Sequence, residues 1–277
     1  MQRIEFEAAQ EAIFAQNGLK TVDDFITFDK GKRINRNEKR DVHILTLQSP
    51  QGQRTYFMKR FFSPHPKDMF FTFMNFGKLC SQAELEWRNA HTLLHNSIET
   101  YRPAAWGADT CCGIERRSFF VTQKINGRSL IDFMLDQWDS FDQSQQEKLV
   151  KSLAAFFRKL HRIKVSLPDS YLWHLFLIEP IDPAESYQFA IIDLHRMQLN
   201  VAASRHAARN LGALLFSLPD EWFDTRLRDV FINTYLESAD GEAVANRQAF
   251  LDTLKKREQT LTARRKKPGL ERLMQLA

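Results

Sequence analysis

Five residues of this 277-residue chain have side chains whose type and position could do chemistry: Lys59, Glu86, Asp169, His174 and Asp193. Lys59 closes Tyr56-Phe57-Met58-Lys59, an apolar stretch that reads as a half-buried strand with a cation aimed at a partner. An edge-strand lysine that blocks strand addition gives the same pattern. Glu86 shares a helical face with Ala90 and with Leu93 or Leu94, so a carboxylate there needs a partner to offset its desolvation. Asp193 ends the apolar run Phe189-Ala190-Ile191-Ile192, from which a carboxylate can hold a metal ion; a turn or cap aspartate reads the same way. Asp169 precedes His174 by five residues, and a strand over Leu175 to Ile178 starts at once. A hairpin between that strand and the one ending in Asp193 brings two acids and an imidazole together. Taken singly, Asp169 also reads as a loop aspartate and His174 as a structural histidine.

The elements that must position these groups follow from periodicity and turn chemistry. Val42 to Leu47 and Thr55 to Phe62 read as strands joined by the turn Ser49-Pro50-Gln51-Gly52. Ser81-Gln82-Ala83-Glu84 has the capping-box pattern at the start of the helix that carries Glu86. Ser118 to Ile125 reads as a buried strand ended by Asn126-Gly127. Ser144-Gln145-Gln146-Glu147 repeats the capping-box pattern, and Leu149, Leu153, Phe156 and Leu160 follow at helical spacing. A loop with Pro180 and Pro183 separates the Leu175–Ile178 and Phe189–Ile192 runs. From Arg205 the pattern is helical, broken near Pro219 and Pro268. Strands early and helices late make an α+β pattern with segregated parts, and the segment Gln123 to Gly127 divides it into two lobes.

Composition narrows the classes. Hydrophobic residues make up 43% and charged residues 26%, which excludes wholesale disorder and a collagen-like chain. Three cysteines, Cys80, Cys111 and Cys112, are neither a zinc quartet nor a disulfide framework, and the expectation is a reduced, cytoplasmic chain. The longest strongly apolar stretch, Met69 to Phe76, is far shorter than the roughly 20 residues of a membrane-spanning helix. The net charge of +5 is concentrated: Lys255 to Arg272 holds eight bases and two acids, so the rest of the chain sums to −1. That basic tail, from about residue 255, suits anionic lipid headgroups or is a solvated helix end. With no broad basic face implied, no nucleic-acid partner is expected.

The order of the candidate residues carries a resemblance. A strand lysine, a helix glutamate 27 residues on, a loop aspartate 83 after that and a strand-end aspartate 24 further form the set used by protein-kinase-like enzymes, whose chemistry is phosphoryl transfer. More closely, the chain resembles the lipopolysaccharide kinase family, the Kdo and heptose kinases. The match rests on Tyr56-Phe57-Met58-Lys59, Glu86-Trp87-Arg88-Asn89-Ala90, Ala105-Trp106-Gly107, Ser118-Phe119-Phe120-Val121-Thr122, Asp169 through His174, Ile192-Asp193-Leu194-His195-Arg196 and Arg209 through Ser217.

The resemblance implies a two-lobed, kinase-like α+β fold. Residues 1–124 would form a small β-rich lobe with one key helix, and residues 125–277 a larger, mostly helical one. It implies ATP and Mg²⁺ as cofactors and a sugar hydroxyl of the lipopolysaccharide core, or a related glycolipid, as acceptor. Lys59 and Glu86 would anchor phosphate, Gln123 to Ile125 would receive adenine, Asp169 would be the catalytic base, and His174 and Asp193 would stand on the metal side. His174 could instead contact phosphate or position Asp169.

The sequence departs from the family pattern in places. Leu167-Pro168 stands where the family has His-Arg, Asn210 where it often has Asp, and no glycine-rich phosphate loop surrounds Gly31. These departures keep open a pseudokinase that acts as a binding module; a small-molecule kinase of the aminoglycoside type is the other rival. The four phenylalanines and two methionines of Met69–Phe76 suggest a peripheral contact with the inner membrane, made together with the basic tail, or else packing onto the small lobe.

Overall fold

The hairpin expected around Ser49-Pro50-Gln51-Gly52 forms with Ser49 opposite Gly52, and its register sets Val42 opposite Lys59. The computed structural model describes the chain except residues 37, 65, 182–184, 202, 238–245 and 272–277, with side chains also left out at 66, 67 and 203. Arg272 of the basic tail and Pro183 of the expected loop lie outside the described residues. The described chain divides into two compact units, Met1–His95 with Tyr101–Lys124, and Asn96–Thr100 with Ile125–Ala277. A division by sequence at 124/125 alone places residues 96–100 in the first unit. In the structure Thr100 Oγ1 donates to the Ile191 carbonyl at 2.6 Å, and residues 96–100 belong to the second.

The first unit contains β1 (Gln2–Phe6), α1 (Glu11–Gln16), α2 (Val22–Thr27), β2 (Lys32–Arg36), β3 (Arg40–Ser49), β4 (Gly52–Phe62), α3 (Pro66–Phe76), α4 (Gln82–His95), β5 (Pro103–Cys111) and β6 (Ile114–Gln123). The strands form one sheet in the order β1-β5-β6-β4-β3-β2. Alternation along β4 sends Tyr56 and Met58 to one face, where they join Phe14, Phe25 and Phe119 in a closed core. Phe25 stacks on Phe119 with ring centroids 4.0 Å apart. Lys59 therefore points to the opposite face, and α4 packs there against β4, β5 and β6.

The start of α4 is as the capping pattern predicts on one side: the Glu84 N–H donates to Ser81 Oγ at 3.1 Å. The Glu84 carboxylate pairs with Arg88 at 2.7 Å and Lys78 at 3.2 Å. A second acid also serves this end. Glu115 accepts the Gln82 N–H at 2.8 Å, and burial pushes its carboxyl up to about 7.

The second unit contains β7 (Gly127–Ser129), α5 (Leu130–Gln137), α6 (Gln143–Arg162), β8 (Leu175–Ile178), β9 (Phe189–Ile191), α7 (Ala203–Ser217), α8 (Thr225–Glu237) and α9 (Arg247–Arg264). A three-stranded sheet, β7-β8-β9, includes the expected hairpin with Leu175 opposite Ile191. The expected cap of α6 is corrected. Asp142, not Ser144, is the N-cap, and its box is closed by Gln145 rather than Glu147. Both tetrads satisfy the pattern, and the earlier start leaves Glu147 to pair with Arg226 of α8 at 2.7 Å.

Helix α9 packs on α7 at Gly212. A Cβ there would stand 2.6 Å from the Leu254 carbonyl oxygen and 2.9 Å from Arg257 Cβ, so a side chain would separate the helices.

Candidate active site

In the first unit Lys59 and Glu86 meet. The ammonium donates to Glu86 Oε2 at 2.9 Å and Oε1 at 3.1 Å. Glu86 is fully buried, as an acid on the apolar face of α4 must be, and the lysine supplies the partner that its position demands. The strand order excludes the edge-lysine reading, because β4 lies between β6 and β3. Tyr101 Oη donates a third hydrogen bond to Glu86 Oε2 at 2.9 Å. Breaking a buried pair of this kind by removing one partner costs about 3–5 kcal/mol.

Gln123 ends β6, opposite Tyr56, with its N–H on the Arg102 carbonyl at 2.9 Å. Ile125 follows after Lys124, where the chain passes into the second unit. Both side chains are half-buried.

The second unit gathers Asp169, His174, Asp193 and Arg196. His174 Nδ1 lies 2.8 Å from the Asp169 carbonyl oxygen. A carbonyl can only accept, so Nδ1 carries the proton and Nε2 is left facing Asp193 Oδ2 at 3.7 Å. Asp193 adopts a left-handed backbone, φ 63° and ψ 64°, at the start of a 3₁₀ turn over Leu194–Arg196, yet its side chain does not cap that turn. Its Oδ1 instead accepts from His195 Nδ1 at 2.9 Å. Holding a non-glycine residue there costs about 1–3 kcal/mol, a strain that accompanies the aim of the carboxylate. The Arg196 guanidinium reaches both oxygens of Asp169 at 3.2 Å.

Among the described residues no three His, Cys, Asp or Glu side chains converge into a metal cage. Magnesium keeps several waters and is held by one or two carboxylates plus substrate phosphates, so a site with Asp193 as its carboxylate fits that ion.

The loop before Asp169 is held by neutral groups. Asn210 Oδ1 accepts the Leu167 N–H at 2.9 Å and approaches His161 Nε2 at 3.2 Å, while Asn210 Nδ2 donates to Ser166 Oγ at 3.2 Å. The backbone donor fixes the amide orientation, so His161 Nε2 carries a proton and Nδ1 accepts from Tyr235 Oη at 2.9 Å. Burial holds the His161 imidazole down to about 4, and Arg158 adds to the shift. An uncharged asparagine thus supports a loop whose Leu167-Pro168 supplies no charge.

Sequence reasoning did not single out Tyr101, His161 or Arg196. The first two had no periodic signal, whereas Arg196 stood inside the Asp-Leu-His-Arg motif and was legible as a cation next to a histidine, His195, that bonds to Asp193.

A sheet-based unit with a lysine–glutamate pair and a helical unit with two aspartates define a kinase-like α+β protein. The chain belongs to the lipopolysaccharide kinase (Kdo/WaaP) family, whose description it matches over residues 27–246. Its fold is similar to that of a solved structure described as WaaP in complex with acyl carrier protein, with TM-score 0.69 and 22% identity, covering 94% of this chain and 99% of that one. A structure of titin kinase and its flanking domains aligns with TM-score 0.45 and 12% identity over 88% of this chain and 45% of that one. No curated protein matches the chain in sequence.

Proposed function

We propose that the chain transfers the γ-phosphoryl group of ATP to a sugar hydroxyl, of heptose or Kdo, in the lipopolysaccharide core or a related glycolipid. The observation that carries this reading is the Lys59–Glu86 pair: a central-strand lysine fixed by a fully buried helix carboxylate is ready to hold the phosphates of a nucleotide. Gln123 to Ile125 would offer backbone groups to adenine. Asp169 would accept the proton of the attacking hydroxyl, and the His174 bond to its carbonyl would steady the loop that carries it. Asp193 and His174 would hold Mg²⁺, which when bound neutralises charge developing on the transferred group. Catalysis on this reading would be positioning and charge stabilisation, with little covalent chemistry by the protein.

The Asn210 bonds to the loop before Asp169 weigh against the pseudokinase reading, since they supply the support that Leu167-Pro168 removes. The test is phosphate transfer from ATP with Mg²⁺ to dephosphorylated core lipopolysaccharide, comparing the wild type with Asp169→Ala. Transfer that falls by about 10²–10⁴ in the variant supports the reading. Absence of transfer by the wild type, or equal transfer by both, sinks it.

The peripheral placement of the chain belongs to the same reading. Helix α3 buries Met69 and Thr72 but leaves Phe70, Phe73 and Met74 at 62%, 47% and 68% exposure. Packing onto its own unit therefore accounts for only one side of this helix. The other side would rest on the surface that carries the lipid acceptor. Among the described residues no helix is long and apolar enough to cross a membrane.

A further inference from the structure

The backbone of the loop that carries Asp169 is fixed on both sides of that residue. Ser166 and Gln198 exchange two backbone hydrogen bonds of 2.9 Å, a single-rung bridge that lays the segment after β9 beside the segment before Asp169. The Asp169 carbonyl oxygen accepts the Tyr171 N–H at 2.8 Å as well as the bond from His174 Nδ1. Tyr171 is buried with Ala213, Phe216 and Leu261 of α9, and Arg265 donates to its Oη. None of these bonds reaches the Asp169 carboxylate. They fix where its Cα stands and leave χ1 free to choose among its staggered wells.

The group that holds the carboxylate comes from the other side of the bridge. Arg196 ends the 3₁₀ turn over Leu194–Arg196, two residues before Gln198, and the fully buried Leu194 and Met197 anchor that turn on either side of it. Its Nη1 lies 3.2 Å from each oxygen of Asp169, and among the described residues no other group hydrogen-bonds that carboxylate. The contact is long for a charge-assisted bond, ordinarily about 2.7–2.9 Å, and one nitrogen makes it rather than the guanidinium fork. A carboxylate offers about four lone-pair sites, so about two remain for an incoming hydroxyl. The Arg196 side chain is 58% exposed against 16% for Asp169, and an ion pair with so exposed a partner adds little to stability. The bond therefore acts on the direction of the carboxylate rather than on folding.

We propose that Arg196 is a positioning residue for phosphoryl transfer: it selects the one side-chain rotamer of Asp169 in which the carboxylate meets the acceptor hydroxyl. It thereby supplies, from across the Ser166–Gln198 bridge, the cation that Leu167-Pro168 does not. This rests on the reading of Asp169 as the base. A base must come within about 2.6–3.2 Å of the group whose proton it takes, and a misplacement of about 1 Å costs about 10²-fold. Rotation into another χ1 well moves the carboxyl group further than that.

The test uses the full chain and reads the rotamer apart from turnover. Three-bond couplings from the backbone nitrogen and carbonyl carbon of Asp169 to its Cγ are measured in the wild type, Arg196→Gln and Arg196→Lys. A single χ1 well is expected in the wild type and averaging among wells in Arg196→Gln. Arg196→Lys should return to one well, because an ammonium can replace a single contacting nitrogen. In transfer from ATP to dephosphorylated core lipopolysaccharide, Arg196→Gln should lower kcat about 10–100-fold and leave the KM for ATP within about twofold. Arg196→Lys should recover most of that loss. In an Asp169→Asn background Arg196→Gln should slow transfer no further, since it acts only through that carboxylate. Urea unfolding should be the same for the three proteins, which separates direction from folding. Identical couplings in wild type and Arg196→Gln, or a loss that persists undiminished in the Asp169→Asn background, would overturn the role. Because the couplings need no phosphoryl transfer, the control of the rotamer can fail while the kinase reading stands, and the reverse.

Discussion

Protonating His161 should unseat the loop that carries Asp169, and the structure sets the size of the effect. The imidazole is buried, and its pKa falls from an ordinary 6.5 to about 4. The folded pKa lies below the unfolded one, so the contribution to stability is fully present above pH 6.5 and is lost as pH falls from there toward 4. At pH 5.0 the unfolded imidazole is nearly all protonated and the folded one nearly all neutral, so the loss is about 2 kcal/mol relative to pH 7.5. Glu115 acts with the opposite sign. Its carboxyl is raised from 4.5 to about 7, so the folded state gains stability as pH falls through 7. The measurement is therefore made in a Glu115→Gln background, by urea unfolding of proteins with His161 or with Gln at position 161, at pH 7.5 and 5.0. The histidine protein should lose about 2 kcal/mol more than the glutamine protein between the two pH values. Hydrogen exchange at the Leu167 amide, which bonds to Asn210, should quicken in the same interval for the histidine protein alone. A difference between the two proteins that stays constant with pH would refute the neutral, buried His161 and with it the account of how Asn210 steadies the loop.

Two further outcomes follow from the site and its surroundings. Tyr101→Phe removes one hydrogen bond to a buried carboxylate and should cost about 1.5–3 kcal/mol in thermal or urea unfolding, with transfer activity reduced rather than abolished because Lys59 still holds Glu86. Replacing Phe70 and Met74 of α3 with Asp should release the protein from anionic lipid vesicles in a sedimentation assay, since each exposed side chain would contribute about 1.5–3 kcal/mol on burial in the interface; full retention of the variant would exclude α3 as the contact.

What could be read from the sequence depended on whether the cause was local. Glu86 stood out because helical spacing put an acid among apolar neighbours, and the structure supplies Lys59 as the partner. The hairpin at Ser49–Gly52 was legible from its turn residues, and the β8–β9 pair from two apolar runs of strand length. The start of α6 was misplaced by two residues because Asp142 and Ser144 both open a capping tetrad; in the structure Asp142 and Gln145 close the box, and Glu147 accepts from Arg226 of α8 instead. Helices α1 and α2 gave no separate signal, since each is six residues long. Tyr101 and Asn210 act through contacts that depend on how elements fold back, and composition carries no trace of those. The basic tail was legible as charge but not as packing: Leu254 and Leu261 are buried among its bases, and Leu261 joins Tyr171, Ala213 and Phe216.

The seating of α9 also has a consequence in time. Tyr171 receives its bond from a residue 94 positions later in the chain. At a synthesis rate of about 5–20 residues per second, that separation is a delay of roughly 5–20 s. Through that interval a nascent chain can already hold the Lys59–Glu86 pair of the first unit, while the apolar cluster of Tyr171, Ala213 and Phe216 still lacks Leu261. The loop that bears Asp169 thus gains one of its packing partners long after it has itself been made.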